Sequence, residues 1–572
     1  MANFRIPNSQ GQTRTIYKTD KYGELWDTFG IDLQSIGKIK SAKKMLKVKD
    51  ISDDGNFGDV YGLATYNNHH YVVTGSGTGK EIYRCGVADD VRIENNWDKQ
   101  NSNGSFGAET DTTVFGGNLL ISQATNIMNT DGSTYDEDWW TAVISGTALT
   151  SSRPHTMEVL RGGQETLFVL DGNKVRYYNA TAGHSTVTLQ TDLVASVLDK
   201  GRDSMYVGTY TETNENALVY EIYVGEVIGS TPVARFAFPV DGRAVLALRV
   251  VDGIPYVITD KGHIQKFNGA GFVTVNSLPF AFTDEQLQGV RAGSVSNNSA
   301  NKPIHHGGTD VHNQSIFFAM NTEMSNQDKT PNRCASGIWE YNTVTNQLNH
   351  RSAFVETSTQ NGGHLGEATG PLIVINNSES LFLAGFELNG QSNGLFAESD
   401  SFFGYIITTE IESNSIQQAF NTVIVKADTI LDDATIDVKY RTVGRERQTA
   451  SGAWLNARTF NTTATVTVEE GDEITILDGT HTGAIAHVQS VSRSVAVTSI
   501  VLTEDVATTG DAVVIEITNF QLLAKNFSSA DKEFLNTGTD VVNTWVQFKL
   551  VFNGKISLRE FIAHDSAKTS AG

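Results

Sequence analysis

One phrase recurs along the chain and limits what it can fold into. An apolar strand runs into a Gly, Asn or Asp turn, and a second strand follows that sets an aromatic residue or Leu beside aliphatic ones. It reads VYGLATYNNHHYVVTG at 60–75, TVFGGNLLIS at 113–122, EVLRGGQETLFVLDG at 158–172, ASVLDKGRDSMYVGT at 195–209 and LALRVVDGIPYVITD at 246–260. Looser copies are TDVHNQSIFFAM at 309–320 and LIVINNSESLFLAG at 372–385. The second-strand anchors are Tyr71, Leu119, Phe168, Tyr206, Tyr256, Phe317 and Phe382. Several copies lead into a third short strand, such as EIYRCG at 81–86, KVRYYN at 174–179 and LVYEIY at 218–223. Alternating apolar and polar residues with tight turns predict antiparallel hairpins rather than helices.

Three or four strands per repeat, repeated about seven times, predict a β-propeller, because one such sheet cannot bury both of its faces alone. The expected fold class is all-β, with a propeller of about seven blades over 55–412 after an N-terminal arm at 1–54. A pair of β-sandwiches is the alternative for the same stretch. Beyond Tyr405 the strands lengthen, as in FNTVIVKADTILDDATIDVKYRT (420–442) and WVQFKLVFNGKISLREFIAHD (545–565). These predict an antiparallel β-sandwich from 413–455 and 521–572. Between them, Gly471-Asp472 and Gly510-Asp511 each open a Val/Ile-rich strand. A small β-barrel inserted at 456–520 is expected there, since chain ends that lie close together tolerate insertion.

Composition narrows the function. The 572 residues hold 43 Lys and Arg against 65 Asp and Glu, a net charge of −22. That argues against general binding to nucleic acid or to anionic membranes. Two cysteines, Cys85 and Cys334, make no disulfide framework and show no zinc spacing. No apolar run approaches the roughly 18 residues of a membrane span, and no apolar stretch near Met1 predicts a signal peptide. Without that signal, the N-x-S/T sites at Asn103, Asn179 and Asn297 carry no weight.

Four stretches could carry chemistry. GSGTGKE (75–81) approaches a phosphate-binding loop, but Thr74 replaces the first Gly, Glu81 replaces the metal-binding hydroxyl, and a strand follows instead of a helix. It predicts a hairpin loop. HHGGTDVH (305–312) offers His305, His306, Asp310 and His312, but adjacent histidines on an extended strand point opposite ways, so polar side chains near the propeller channel are expected. NTDGSTYDEDWW (129–140) approaches the aspartate box of sialidase propellers and fails where Asp131 and Gly132 adjoin, and Trp139 and Trp140 are expected to pack between strands. The pairs Asp136/Asp138 and Asp432/Asp433 read as turn residues, and Cys85 as a small buried hydrophobe. No nucleophile elbow or HExxH occurs. The expectation is therefore no enzyme, no catalytic residue, no metal and no cofactor.

The basic residues cluster. Residues 38–49, KIKSAKKMLKVK, hold Lys38, Lys40, Lys43, Lys44, Lys47 and Lys49 with no acid among them. A solvated face is one reading; the other is a subunit-contact segment docking on an acidic neighbour, such as another copy of the chain.

The N-terminal sequence MANFRIPNSQGQTRTIYKTDKYGELWDTFGIDLQSIGKIKSAKKMLKV resembles the start of bacteriophage virion proteins, in which a short arm leads into a propeller. TVIVKADTILDDATIDVKYRT and TWVQFKLVFNG look like strand pairs of phage tail proteins. Within that group the chain is similar to tail-nozzle and tail-tube proteins of short-tailed phages. The resemblance implies a structural part of the tail, assembled in the host cytoplasm as a ring of identical copies among other virion proteins. Genomic DNA would pass through without specific binding. A glycan- or receptor-binding propeller at the tail tip or capsid surface, facing the host surface, is the alternative.

Overall fold

The computed structural model describes residues 3–5, 25–32, 39–48, 59–75, 80–101, 110–123, 125–144, 148–149, 155–161, 165–224, 231–278, 282, 287, 303–320, 337–352, 354–355, 366–375, 382–388, 392–408, 411–412, 418–428, 434–441, 448–469, 472–477, 484–494, 496–503, 505–506, 510, 512–518, 520–527, 533–542 and 545–567. The chain divides into two compact units, one of 47–344 with 366–398, the other of 1–46, 345–365 and 399–572.

In the first unit, antiparallel sheets follow one another along the chain as propeller-like blades. The first holds Asp59–Tyr66, His69–Gly75, Lys80–Gly86 and Asp98–Asn101, and the second Thr112–Phe115, Asn118–Ser122, Ile127–Thr130 and Tyr135–Asp136. The third is Met157–Arg161, Glu165–Asp171, Lys174–Asn179 and Gly183–Thr188. The fourth is Leu193–Lys200, Ser204–Thr211, Leu218–Tyr223 and Val233–Pro239, and the fifth Val245–Val251, Ile254–Thr259, His263–Phe267 and Phe272–Ser277. The sixth contributes Ile304–His312, Ser315–Met320 and Gly337–Asn342, and the seventh Gly366–Val374, Phe382–Leu388 and the start of Ser392–Thr408.

Two-residue turns join the first two strands of four of these sheets. Asn67-Asn68, Gly116-Gly117, Asp252-Gly253 and Asn313-Gln314 all have positive φ. Such turns match the right-handed twist of the flanking strands, and Asn, Asp and Gly tolerate them. The register then repeats: Tyr71 faces Ala64, Leu119 faces Val114, Phe168 faces Glu158, Tyr206 faces Asp199, Tyr256 faces Arg249, Phe317 faces Asp310 and Phe382 faces Val374.

Each sheet packs on the next. Tyr71, Val73 and Ile82 meet Leu119, Ile121 and Met128, and Phe115, Leu120 and Ile127 meet Met157, Val159 and Leu167. Phe168, Leu170 and Tyr177 meet Leu198, Met205 and Val207, and Val197 and Val219 meet Val245, Leu248 and Val257. Ring contacts continue the series from Tyr256 to Tyr341 and from Phe317 to Phe382, at 6.1 and 4.8 Å between centroids. The seventh sheet packs on the first through Leu383, Leu395 and Ala397 against Val60, Leu63 and Val72. Val48 joins that core and donates its N–H to the Leu395 carbonyl at 2.9 Å, so this residue lies along the seventh sheet. Burying each such side chain contributes about 1.5–3 kcal/mol. Six anchors are buried, whereas Tyr206 is half-buried. Met205 and Val207 fill the core shared with the third sheet, and Tyr206 instead faces the fifth beside half-buried Val250 and Phe272.

The second unit holds two sheets and a barrel. Gln418–Ala427, Glu533–Val542 and Ser557–Ala567 form one sheet with Ile31–Asp32, Ile39–Ser41 and Asn3–Arg5. Thr435–Arg441, Gln521–Phe527, Trp545–Asn553 and the later part of Ser392–Thr408 belong to the other. One apolar core draws on both, with Val423, Val425, Leu558 and Phe561 from the first and Ile406, Ile436, Phe548 and Leu550 from the second.

Two expected boundaries shift. The described parts of 1–46 are not an arm standing apart but strands of the C-terminal unit. Ile39 and Lys40 pair with Leu558 and Ser557, and Ile39 enters the shared core. The Ser41 hydroxyl donates to the Gly554 carbonyl at 2.8 Å and accepts the Ile556 N–H at 2.9 Å. The barrel closes in the order Gln448–Asn456, Thr459–Thr462, Thr498–Leu502, Ile485–Arg493, Glu473–Ile476, Ala512–Thr518. It therefore begins before residue 456, because Gln448–Asn456 pairs on both sides and sends Ala450 and Trp454 into the barrel core. No helix among the described residues is long and apolar enough to cross a membrane.

Candidate functional site

The position facing the anchor on the first strand of each sheet is apolar in the first, second and seventh sheets. In the third to sixth it is Glu158, Asp199, Arg249 and Asp310. The three carboxylates among them, with Asp111 just before the second sheet, gather around Arg249. Asp199 Oδ2 accepts the Val250 N–H at 2.6 Å and Asp310 Oδ2 accepts the Val374 N–H at 2.8 Å. Asp111 Oδ2 accepts the Met157 N–H at 2.7 Å and its Oδ1 accepts the Thr112 N–H at 2.8 Å. Each of these carboxylates thus holds the backbone of the following sheet. Arg249 lies 3.6 Å from Asp199 and donates to the Thr309 carbonyl through Nε at 3.2 Å and through Nη2. Lys200 Nζ is 3.0 Å from Glu158.

Burial governs the charges here. It pushes the Asp111 carboxyl up to about 7, against the pull of the Met157 and Thr112 N–H groups. Burial also lifts Asp199 to about 6, although Arg249 opposes it. Burial works against the Arg249 guanidinium too, but Asp199, Asp310, Glu158 and Asp111 outweigh it and hold its pKa above the ordinary value. The cluster spends its donors and acceptors on the chain's own backbone, and so its chemistry is that of a fastening. The sequence carried a signal for it, since the repeat phase aligns Glu158, Asp199, Arg249 and Asp310. Its meaning needed the register.

His305 and His306 do not point opposite ways. Their rings lie 4.0 Å apart, tilted by 32°, because the strand register shifts between Ile304 and Thr309. His306 Nε2 is 3.2 Å from the Thr110 carbonyl, and the Gly307 N–H reaches His305 Nδ1 at 3.1 Å. Among the described residues no group of three or more His, Cys, Asp or Glu side chains could hold a metal ion. Lys80 and Glu81 lie on a strand, where Glu81 accepts from Tyr83 and Lys99, and 76–79 fall outside the described residues. In the stretch 129–140, the N–H of Thr134 and the N–H and hydroxyl of Ser133 hold the Asp131 carboxyl well below the usual range. Gly132 has φ +92°, and a Cβ there would come within 2.9 Å of the Tyr71 hydroxyl oxygen. Its carbonyl accepts from Arg84 at 2.9 Å, fastening the second sheet to the first. Trp140 is fully buried, and Trp139 packs on Phe115 and Tyr178. Burial pushes the Cys85 thiol up to about 12; Cys334 and Asp432/Asp433 lie outside the described residues.

The described lysines of the run are part of the fold. Lys40 and Lys47 are half-buried strand residues, Lys43 lies 4.0 Å from Asp400, and Lys38 and Lys49 fall outside the described residues. Lys44 is 3% exposed with its ammonium 5.6 Å from the centre of the Phe403 ring, so it is no member of a solvated face. Burial lowers its pKa to about 8. The unfolded chain keeps that proton to higher pH, and stability therefore rises between about pH 8 and the ordinary lysine value. Lys44→Met is expected to stabilise the protein at pH 7 by roughly 1–3 kcal/mol and to flatten that alkaline rise. Calorimetric melting between pH 7 and 10 measures both effects.

Sequence reasoning missed a second buried cluster. Glu473 of the barrel is fully buried, and its carboxylate receives Lys439 on one oxygen and Lys549, at 2.6 Å, on the other. Burial alone would raise the Glu473 carboxyl, but the two lysines outweigh it and hold it well below the usual range. Thr518 Oγ1 adds a bond at 3.1 Å, and the Lys549 ammonium sits 4.3 Å from the centre of the Tyr405 ring.

No known protein family matches the chain, and no curated protein does. Among solved structures, a BBS1N chain in complex with ARL6DN shares 11% identity over 62% of this chain and 96% of its own, with TM-score 0.36. The designed Ika8 protein shares 11% over 63% of this chain and all of its own, with TM-score 0.32. A chain of a mitotic checkpoint complex shares 10% over 62% of this chain and 94% of its own, also with TM-score 0.32. Similarity this low carries no argument about function.

Proposed function

We propose that the chain is a non-enzymatic structural component of a bacteriophage particle, a tail-nozzle or tail-tube protein whose copies form a ring around the DNA path. In this reading the seven sheets close as a seven-bladed propeller, and the two sheets of the second unit are a β-sandwich carrying the inserted barrel. The observation that carries the reading is that both stretches resembling phage proteins belong to one unit. Ile39–Ser41 from the N-terminal stretch pairs with Ser557–Ala567, and Trp545–Asn553 of the C-terminal stretch pairs with Thr435–Arg441. The charge of −22 supports a conduit, because such a surface releases no counterions from DNA and so lets it slide. The screening length of about 8 Å limits this effect to a narrow lumen. Rings are the natural closed form for head-to-tail contacts between identical chains. Reconstruction of particles bearing a tagged copy of the chain tests the proposal. A ring on the tail axis is expected, and density only on the capsid, or absence from particles, would overturn it.

A second reading, a receptor- or glycan-binding propeller, is favoured by one observation. The outer strand Val233–Pro239 of the fourth sheet is exposed, with Phe236 and Phe238 5.8 Å apart. Phe238 in turn lies 4.7 Å from Phe267, which contacts Phe272. Under that reading Phe236→Ala should cut adsorption to host cells at least tenfold while leaving the protein in particles; under the conduit reading adsorption is unchanged.

A further inference from the structure

Four of the first strands in successive sheets bring titratable groups to one place. Asp111 faces Glu158 from the third sheet, Arg249 from the fifth, and the sixth-sheet strand carrying His305, His306 and Asp310. A Cβ built on Gly307 would lie 3.7 Å from Asp111 Oδ1, which marks how closely that strand passes. Asp199 faces Glu158, Arg249 and the backbone of Lys200 and Val250. Lys200 reaches Glu158 from the edge, 53% exposed. Arg249 is the cation that Asp199, Asp310, Glu158 and Asp111 share. Each aspartate also accepts a backbone N–H of the next sheet; that bond favours the ionised carboxylate, and for Asp111 and Asp199 burial outweighs it.

We propose that Asp111, Asp199 and Asp310, gathered with Glu158 around Arg249, form a proton-operated clasp that binds the second to seventh sheets tightly in mild acid and loosens them above neutrality. The physical reason is charge crowding where little water reaches. When Asp111 and Asp199 carry protons, neither adds negative charge beside Arg249. When both ionise, two more negative charges crowd beside the half-buried Arg249, where little solvent reaches them. The sign follows from linkage. Both aspartates have raised pKa values, to about 7 and about 6, so the folded unit binds protons that the unfolded chain has released. Stability from this source is complete below the ordinary aspartate range and is lost as pH rises towards 7. The clasp is independent of the phage reading, since it requires no partner.

Amide hydrogen exchange on the full chain tests it. After correction for the intrinsic exchange rate, protection of the Met157 amide should fall at least tenfold between pH 5.5 and 8, and that of the Val250 amide about fourfold, because Asp199 titrates nearer the lower limit. The Val423 and Phe548 amides of the other unit should change less. Asp111→Asn should flatten the dependence at Met157, and Asp199→Asn that at Val250, without moving the controls. Arg249→Lys, which keeps the charge, should preserve the slope. Equal protection of Met157 and Val250 at both pH values in the unmodified protein would overturn the proposal. A slope that survives both asparagine variants would overturn it as well.

Discussion

Glu473→Gln is expected to destabilise the C-terminal unit by about 3–5 kcal/mol, because it leaves the Lys439 and Lys549 ammonium groups buried without their counter-charge. The two lysines are 3% and 6% exposed, and water cannot replace what the carboxylate supplied. Glu473 has a depressed pKa, so its contribution is fully present above the ordinary glutamate range and is lost progressively as pH falls below it. Between pH 6 and 8 the penalty of the variant should therefore be nearly constant. A triple change to Lys439→Met, Glu473→Leu and Lys549→Met removes the charges together and should cost far less than the single one, or even stabilise. Denaturant unfolding of the full chain, with exchange at Ile474 and Leu550 to localise the loss, distinguishes the two cases. Equal destabilisation by the single and triple variants would show that packing, not charge, governs this contact.

Phe168→Ala should cost about 3–5 kcal/mol in the other unit, while Tyr206→Ala should cost clearly less. The two occupy equivalent places on the second strands of neighbouring sheets. Phe168 is fully buried between Leu170, Tyr177 and Met205, whereas Tyr206 is half-buried and its removal opens less of a cavity. Melting of both variants under identical conditions gives the comparison. If Tyr206→Ala proves the more damaging, burial does not set the cost of removing these anchors.

The seven anchors were legible because a repeating sheet reuses one solution to the same problem. A turn such as Asn67-Asn68 or Asp252-Gly253 sets the register locally, and strand alternation then decides which residue faces inward. The all-β class, the repeated blades and the barrel thus followed from short-range pattern. The same local rule misjudged His305 and His306, because a register shift is invisible in composition and it turned both rings to one side. It misjudged Lys44 as well: six lysines in twelve residues suggest a wet face, yet this one lies beneath Phe403.

The hairpins were written in local pattern, since neighbours in the chain specify their own turns and faces. Long-range packing alone brought Ser41 onto Ile556, Glu473 to Lys439 and Lys549, and Asp199 to the backbone of the following sheet. These contacts join residues from 34 to 515 positions apart, or link one sheet to its neighbour. Their energies come from excluding water around charges and polar groups, and that exclusion exists only once distant strands have packed together.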